Sequence, residues 1–300
     1  MDAQNAAKKP WYQVVDGFIV PGGFPDAGNV RSAMKYKPQD DDMFIVTYPK
    51  SGTTWMQMIL LLLKHEGVLP EQFTFFQLIH DHIPFIDMFG ASVVEKLDRP
   101  RMMKSHLPFN FIPWNDNAKY IFVCRNPFDV CVSLYYHTEG FPGAYNFKDG
   151  SFDVFFEEYL KGEVDCGCYF HHLRSYWDQR GRDNILFLTY EKMKENTRDV
   201  IREVAEFLGG QYLENVNKEG ILDKVLENSS ISSMREAINP SVNALGRAEG
   251  SAEFVRKGVI GDYKNMFSEE QERRLTEKFR LTCADCDAID LWKKYGIPAE

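Results

Sequence analysis

Long apolar runs are missing from this sequence. The longest aliphatic stretch, Met58–Leu63, falls far short of the roughly 20 residues that span a bilayer, and Met1–Pro10 lacks the apolar core of a secretory signal. A cytoplasmic chain with no membrane partner is therefore expected. Cysteine is scarce, six in 300 residues, too few for a disulfide scaffold. Cys166 and Cys168 with Cys283 and Cys286 form C-x-C plus C-x-x-C, which is not a tight zinc spacing, so free or buried thiols and no metal are expected. Positive charge is in deficit: 35 Lys and Arg against 44 Asp and Glu leave a net −9, which argues against broad binding to nucleic acid or anionic membrane. Any bound anion needs a local site. Internal repeats and dividing linkers are also lacking, so one domain over residues 1–300 is expected, with residues 1–17 as a mobile N-terminal extension.

What is present reads as an ordinary folded chain, 44% apolar and 26% charged. Met43–Tyr48 is a short β-prone run, followed by the loop Pro49–Thr54 and an apolar helical run from Trp55 to Leu63. Tyr120–Cys124 is a second strand, entering Arg125-Asn126-Pro127 and a helix from Phe128 to Tyr136. Ile185–Tyr190 is a third, followed by a charged helix through Leu208 that closes at Gly209-Gly210. Strands alternating with helices predict an α/β fold: a central parallel sheet flanked by helices, with ligands at the carboxyl ends of the strands. Asn239 to Gly250 reads as a mobile loop. A helix is predicted to start near Ser268, with Gln271 completing a capping box. Trp292 to Glu300 carries no functional signal.

Lys50-Ser51-Gly52-Thr53-Thr54 opens a helix directly after a strand, so free backbone N–H groups, a helix dipole, a Lys and three hydroxyls are predicted to converge. Such a loop cradles phosphate or sulfate; the plainer reading is a turn with a surface Lys. It is not the triphosphatase loop G-x-x-x-x-G-K-[ST], because Lys50 precedes Gly52. Nor does the neighbouring strand end in a carboxylate for Mg²⁺. It ends in Arg125, which suits a phosphate, with Ser133 two helical turns on, although Arg125 could instead pair with Asp129 at i+4. In Lys104-Ser105-His106-Leu107-Pro108, strand alternation places Lys104 and His106 on one face. A His there suits a general base and the Lys suits stabilisation of developing negative charge, while a satisfied core His is the bland alternative.

With these motifs in place, the sequence resembles the cytosolic sulfotransferases from about Phe18 to about Phe267. The carriers are Thr47–Trp55, Lys104–Pro108, Arg125-Asn126-Pro127 with Asp129-Val130 and Ser133, Tyr190–Asn196, Ser229-Ser230-Ile231 before Met234, and Arg256-Lys257-Gly258. The resemblance implies transfer of a sulfuryl group from 3′-phosphoadenosine 5′-phosphosulfate (PAPS) to an acceptor hydroxyl or amine without a metal, leaving adenosine 3′,5′-bisphosphate (PAP). It implies that Lys50, Ser51, Gly52, Thr53 and Thr54 hold the 5′-phosphosulfate, and that Arg125, Ser133, Arg256, Lys257 and Gly258 hold the 3′-phosphate. Trp55, Tyr190, Ser229 and Met234 would surround the adenine. His106 would be the base, with Lys50 and Lys104 stabilising charge. Ser229 to Ile231 has Ser and Ile where the family usually has Thr and Phe. The family's small homodimer contact, K-x-x-x-T-V-x-x-x-E, is degraded between Lys264 and Arg273, where Ser268, Glu269 and Arg273 replace its last three defined residues. A nucleotide kinase and a catalytically silent nucleotide- or hormone-binding protein are the alternatives; retention of both lysines and His106 argues against the second.

The acceptor is expected to be a small molecule. The chain holds 23 Phe, 14 Tyr and 5 Trp, and Phe18, Phe85 and Phe141 fall where the family builds its acceptor pocket. Aromatic walls favour a flat ring, and a phenol yields its proton to a His more readily than an aliphatic alcohol does. Small phenols are therefore expected over aliphatic alcohols and bulky steroids. Asp87 and Glu139 lie beside these positions, so a phenolic biogenic amine would gain an ion pair at the pocket mouth.

Overall fold

The computed structural model describes residues 8–297. The chain enters through a hairpin of β1 (Tyr12–Val15) and β2 (Phe18–Pro21). Asp16 and Gly17 both take positive φ, 50° and 89°, the two-residue turn whose twist matches that of the flanking strands. This corrects the expectation of a mobile extension over residues 11–17. Val15, Phe18 and Val20 are buried, and the Trp11 N–H donates to the Tyr145 carbonyl at 2.7 Å. The Asp16-Gly17 dipeptide between apolar residues was the local signal for the hairpin. The same expectation for residues 1–7 lies outside the described residues.

β3 (Met43–Thr47), β4 (Met102–Ser105), β5 (Lys119–Cys124) and β6 (Ile185–Thr189) form one parallel sheet in the order β4-β3-β5-β6. Side chains alternate between its two faces. Phe44, Val46, Tyr120 and Phe122 enter one core; Met43, Ile45, Ile121 and Val123 enter the other. Burial on both faces is why these strands read as unbroken apolar runs. The chain leaves β3 to one side for β4 and returns on the other side as β5. The crevice beyond the carboxyl ends of β3 and β5 is thus the topological switch point, where α/β sheets place ligands.

The Thr53–Lys64 helix after β3 is buried at every position from Met56 to Leu63, as expected for a helix that is apolar on all sides. The Pro127–Gly140 helix after β5 starts with two matched devices: Asn126 accepts from the Asp129 N–H at 2.8 Å, and Pro127 occupies the first turn, where its missing N–H costs nothing. The loop expected from Asn239 is corrected in part. The Ile231–Asn243 helix runs through Pro240, which falls near its end, and buried Ile238, Asn239 and Val242 anchor that last turn against the core. The capping box of Ser268 and Gln271 is present at the Glu269–Thr282 helix. Arg273, in the degraded dimer segment, pairs with Glu270 and Glu277 of its own helix. Among the described residues no helix is long and apolar enough to cross a membrane, all six cysteines are free, and no group of His, Cys, Asp and Glu could hold a metal.

Trp292, in a stretch without a sequence signal, has a structural task. Its indole N–H donates at 2.7 Å to Oε2 of Glu191, whose Oε1 accepts from the backbone N–H and side-chain amide of Asn126 at 3.0 and 2.9 Å. Glu191 and Trp292 are fully buried, so each bond satisfies a group that has no access to water. Trp292→Phe leaves a buried carboxylate oxygen unpaired and is expected to cost about 2 kcal/mol, within the range for hydrogen bonds to charged groups. Urea unfolding checks this: a midpoint unchanged from the parent would show that Glu191 has no need of the indole.

Candidate active site

A cavity of about 860 Å³ opens over the carboxyl ends of β4, β3 and β5. At one end lies the loop after β3. Lys50 has φ 68° and Gly52 φ 109°, so the chain turns sharply into the Thr53–Lys64 helix, whose first N–H groups have no carbonyl one turn back. Glycine is required at position 52 twice over: its φ is left-handed, and a Cβ would stand 3.0 Å from the Tyr190 ring. The three hydroxyls of this loop do not converge as the sequence suggested. The Thr54 side of the helix faces the cavity, but Thr53 Oγ1 turns back to Thr47 Oγ1 at 2.6 Å, and Ser51 lies outside the cavity lining with a buried, unpartnered Oγ. The positions still contribute backbone, which sequence reasoning could not separate from side chain.

Arg125 follows β5 and lines the same cavity, its guanidinium 4.5 Å from the centre of the Tyr190 ring. The pair with Asp129 forms, at 3.4 Å, and leaves part of the Arg125 guanidinium unused: its buried Nε has no partner. Asp129 also accepts from the Gly261 and Tyr263 N–H groups at 2.8 and 3.0 Å, which ties the 256–263 segment to the sheet. Arg256 and Lys257 pair with Asp262, and Arg256 Nε is again buried and unpartnered. Burial pushes the Asp262 carboxyl up, but hydrogen bonds from Lys257, Arg256 and Asn265 outweigh this and hold it at about 2. Asn239 clamps the segment from the other side, accepting from the Val255 N–H at 2.8 Å. Gly258 has φ 64°, and a Cβ there would meet Ile231 at 2.8 Å. Trp55 and Tyr190 meet edge to face at 5.5 Å, with Ser229, Ile231 and Met234 on the same wall. Trp55 Nε1 and Ser229 Oγ are buried without partners. Four orphaned polar groups on the cavity lining (Trp55, Arg125, Ser229 and Arg256) beside cations suit a polar polyanion with a flat ring, the chemistry of a phosphorylated nucleotide.

Lys104 and His106 do share a face, as alternation predicted. His106 Nδ1 lies 2.7 Å from the Thr47 carbonyl, which can only accept, so Nδ1 carries the proton and Nε2 presents a lone pair. Lys104 Nζ stands 3.4 Å from that Nε2. Burial, and next the Lys104 charge, hold the imidazole well below its ordinary pKa, so it is neutral at physiological pH. Burial likewise lowers Lys104 to about 8. Lys50 lies well below the usual ammonium range, because it is buried and faces Arg247, Lys104, Arg125 and Arg256.

The other end of the cavity is aromatic. Phe18, Phe85 and Phe141 line it as expected, with Phe24, Phe76 and Phe89 toward the mouth, where Phe24 and Phe76 are exposed. The two carboxylates are corrected. Glu139 does not line the cavity. Asp87 does, but it is 2% exposed and far from a mouth position: its oxygens accept from the Ser105 hydroxyl at 2.7 Å and the His106 N–H at 2.6 Å, so it holds the end of β4 and the residue after it. Thr47, His137 and Asp165 were missed. Thr47 stands in the sequence as the end of a strand and the start of the Thr47–Trp55 motif, neither of which singles out its carbonyl, and nothing in the local sequence brings residues 137 and 165 to the cavity.

These features coincide with a known family. The profile described as Sulfotransferase domain matches residues 40–289. The chain is 33% identical to sulfotransferase 1C2 of Oryctolagus cuniculus, over 93% of this chain and 94% of that protein, and 33% identical to sulfotransferase 1E1 of Homo sapiens, over 90% and 96%. Its fold is similar to that of mouse sulfotransferase SULT7A1 solved with PAP (TM-score 0.74, 24% identity, 95% of this chain and 98% of that one). It is equally similar to retinol dehydratase solved with androsterone and PAP (TM-score 0.74, 22% identity, 93% and 91%). A strand-to-helix anion loop without the triphosphatase Lys order, an arginine at the next strand end and a near-full-length match to these enzymes make this chain a member of the sulfotransferase family.

Proposed function

We propose that the protein transfers a sulfuryl group from PAPS to the hydroxyl of a small phenol in the cytosol, with His106 as general base. The observation that carries this reading is the His106 geometry: a proton fixed on Nδ1 by the Thr47 carbonyl and a lone pair on Nε2 beside Lys104, inside the cavity. The donor, when bound, supplies the activated sulfuryl group. His106 Nε2 takes the acceptor proton, and Thr47 stabilises the imidazolium that forms. Lys50, Lys104 and the first-turn N–H groups face the negative charge of transfer. Arg125 and Arg256, each with a free buried Nε, hold the 3′-phosphate with Ser133, Lys257 and Gly258. Trp55, Tyr190, Ser229 and Met234 enclose the adenine. Among acceptors, the aromatic walls favour a phenol over an aliphatic alcohol, and a phenolic biogenic amine is the finer reading.

A positioned base is worth roughly 10² to 10⁴ in rate. His106→Ala is therefore expected to lose turnover by that factor while PAP binding, measured by calorimetry, stays within a few-fold of the parent. Near-parental turnover of an unactivated phenol by this variant would remove His106 from the mechanism. Arg125→Ala and Arg256→Ala are each expected to weaken PAP at least tenfold, yet to change the affinity for adenosine 5′-phosphate much less, because only PAP carries the 3′-phosphate. Equal losses for both nucleotides would place these arginines elsewhere.

The pH profile follows from the two shifts at the catalytic strand. Chemistry needs neutral His106, so the acid limb of kcat/KM should fall below the ordinary His value. It also needs protonated Lys104, a charge present below about 8 and lost as pH rises through that value, so an alkaline limb is expected near 8. Lys104→Arg keeps the charge at all accessible pH and should move this limb upward. An alkaline limb identical in Lys104→Arg and the parent would exclude Lys104 as its source.

A further inference from the structure

Asp165 lies on the segment between the Phe152–Lys161 and Tyr169–Trp177 helices and lines the acceptor end of the cavity, together with its neighbour Cys166. The Cys166 N–H donates to the Ile19 carbonyl at 2.9 Å, which fixes this segment to β2 next to Phe18. Asp165 is 8% exposed. It accepts from the Tyr145 hydroxyl at 2.8 Å and from the weak Cys166 thiol at 3.4 Å. Two carboxylate oxygens offer about four acceptor sites, so capacity remains.

Among the described residues no Lys, Arg or His comes within ion-pair distance of Asp165, on which the Lys104 ammonium acts only from farther off. That is unusual for a buried carboxylate, since buried charges are normally paired. Burial raises its pKa to about 6, which still leaves it ionised at neutral pH. Close by, His137 lines the same cavity with a buried Nδ1 that has no partner, its ring 5.7 Å from that of Tyr145. The cavity therefore has cations at its donor end, aromatic walls, and at the acceptor end the unpaired Asp165 carboxylate and the orphaned His137 nitrogen. Asp87 is the weaker candidate, because its two oxygens accept from strong donors, the Ser105 hydroxyl and the His106 N–H, whereas one oxygen of Asp165 accepts only from the weak Cys166 thiol.

We propose that Asp165 is the specificity-determining residue of the acceptor pocket and selects acceptors that carry a cationic nitrogen along with the reacting hydroxyl. This rests on the reading of the cavity as the sulfotransferase acceptor site, and it moves the ion pair from the residues expected from sequence to one that was not. An ammonium group beside Asp165 gains a charge-assisted hydrogen bond in a place from which water is largely excluded.

Binding rather than turnover tests this. The full chain saturated with PAP is titrated with 4-(2-aminoethyl)phenol and 4-ethylphenol at pH 7.5, and in parallel with 6-aminohexan-1-ol and hexan-1-ol. The parent is expected to bind the amine of the phenolic pair at least tenfold tighter than its uncharged analogue. Asp165→Asn and Asp165→Ser, two removals of charge that differ in size, should erase the preference, and Asp165→Glu should keep part of it. A preference seen only in the aliphatic pair, and lost with the Asp165 charge, upholds Asp165 while refuting the phenol reading. No preference in either pair for the parent, or a preference that survives in both uncharged variants, overturns the proposal.

Discussion

Buried positive charge that internal carboxylates match only in part is the constraint around which this molecule is arranged. Lys50, Lys104, Arg125 and Arg256 converge on one crevice in a chain whose net charge is −9. Each would repel the others and pay a desolvation cost, and Lys50 shows both effects in its depressed pKa. The fold tolerates this because partial compensation sits just outside the cavity. Asp129 holds Arg125, Asp262 holds Arg256 and Lys257, and Glu191 secures the strand-to-helix turn that aims Arg125. What these carboxylates leave unsatisfied is a set of orphaned N–H and hydroxyl groups facing inward. The site is thus preorganised for a polyanion before any ligand arrives, with little reorganisation left for the moment of reaction.

Charge is segregated along the cavity. The donor end carries the cations and the aromatic end carries Asp87 and Asp165, with Lys104 and His106 at the boundary. The two carboxylates differ by their partners. Asp87 accepts from two strong donors, the Ser105 hydroxyl and the His106 N–H, and so fixes the backbone at His106, while one oxygen of Asp165 accepts only from the weak Cys166 thiol. The His106 ring is oriented by a backbone carbonyl rather than by a carboxylate. Burial and the Lys104 charge lower its pKa and outweigh the upward pull of that carbonyl, whereas an adjacent carboxylate would raise it further. Sequence reasoning that looks for acidic residues near a histidine has no access to this distinction.

The unbroken apolar runs of β3, β5 and β6, and the loop order Lys50 before Gly52, already specified a parallel α/β sheet and an anion loop of a particular kind. Both follow from local chemistry: burial on two faces and backbone N–H groups at a helix start. Lys104 and His106 were legible as a pair because strand periodicity is local too. Asp16-Gly17 is equally legible as a hairpin turn, since the dipeptide supplies positive φ at both positions. By contrast, the fates of Ser51, Thr53, Asp87, Glu139 and Asp165 were decided only by tertiary structure. Whether a hydroxyl meets a ligand or a neighbouring Thr47, and whether a carboxylate reaches the cavity with weak or strong donors already on it, depends on which segments meet at the switch point, and residue type and spacing carry no information about that encounter.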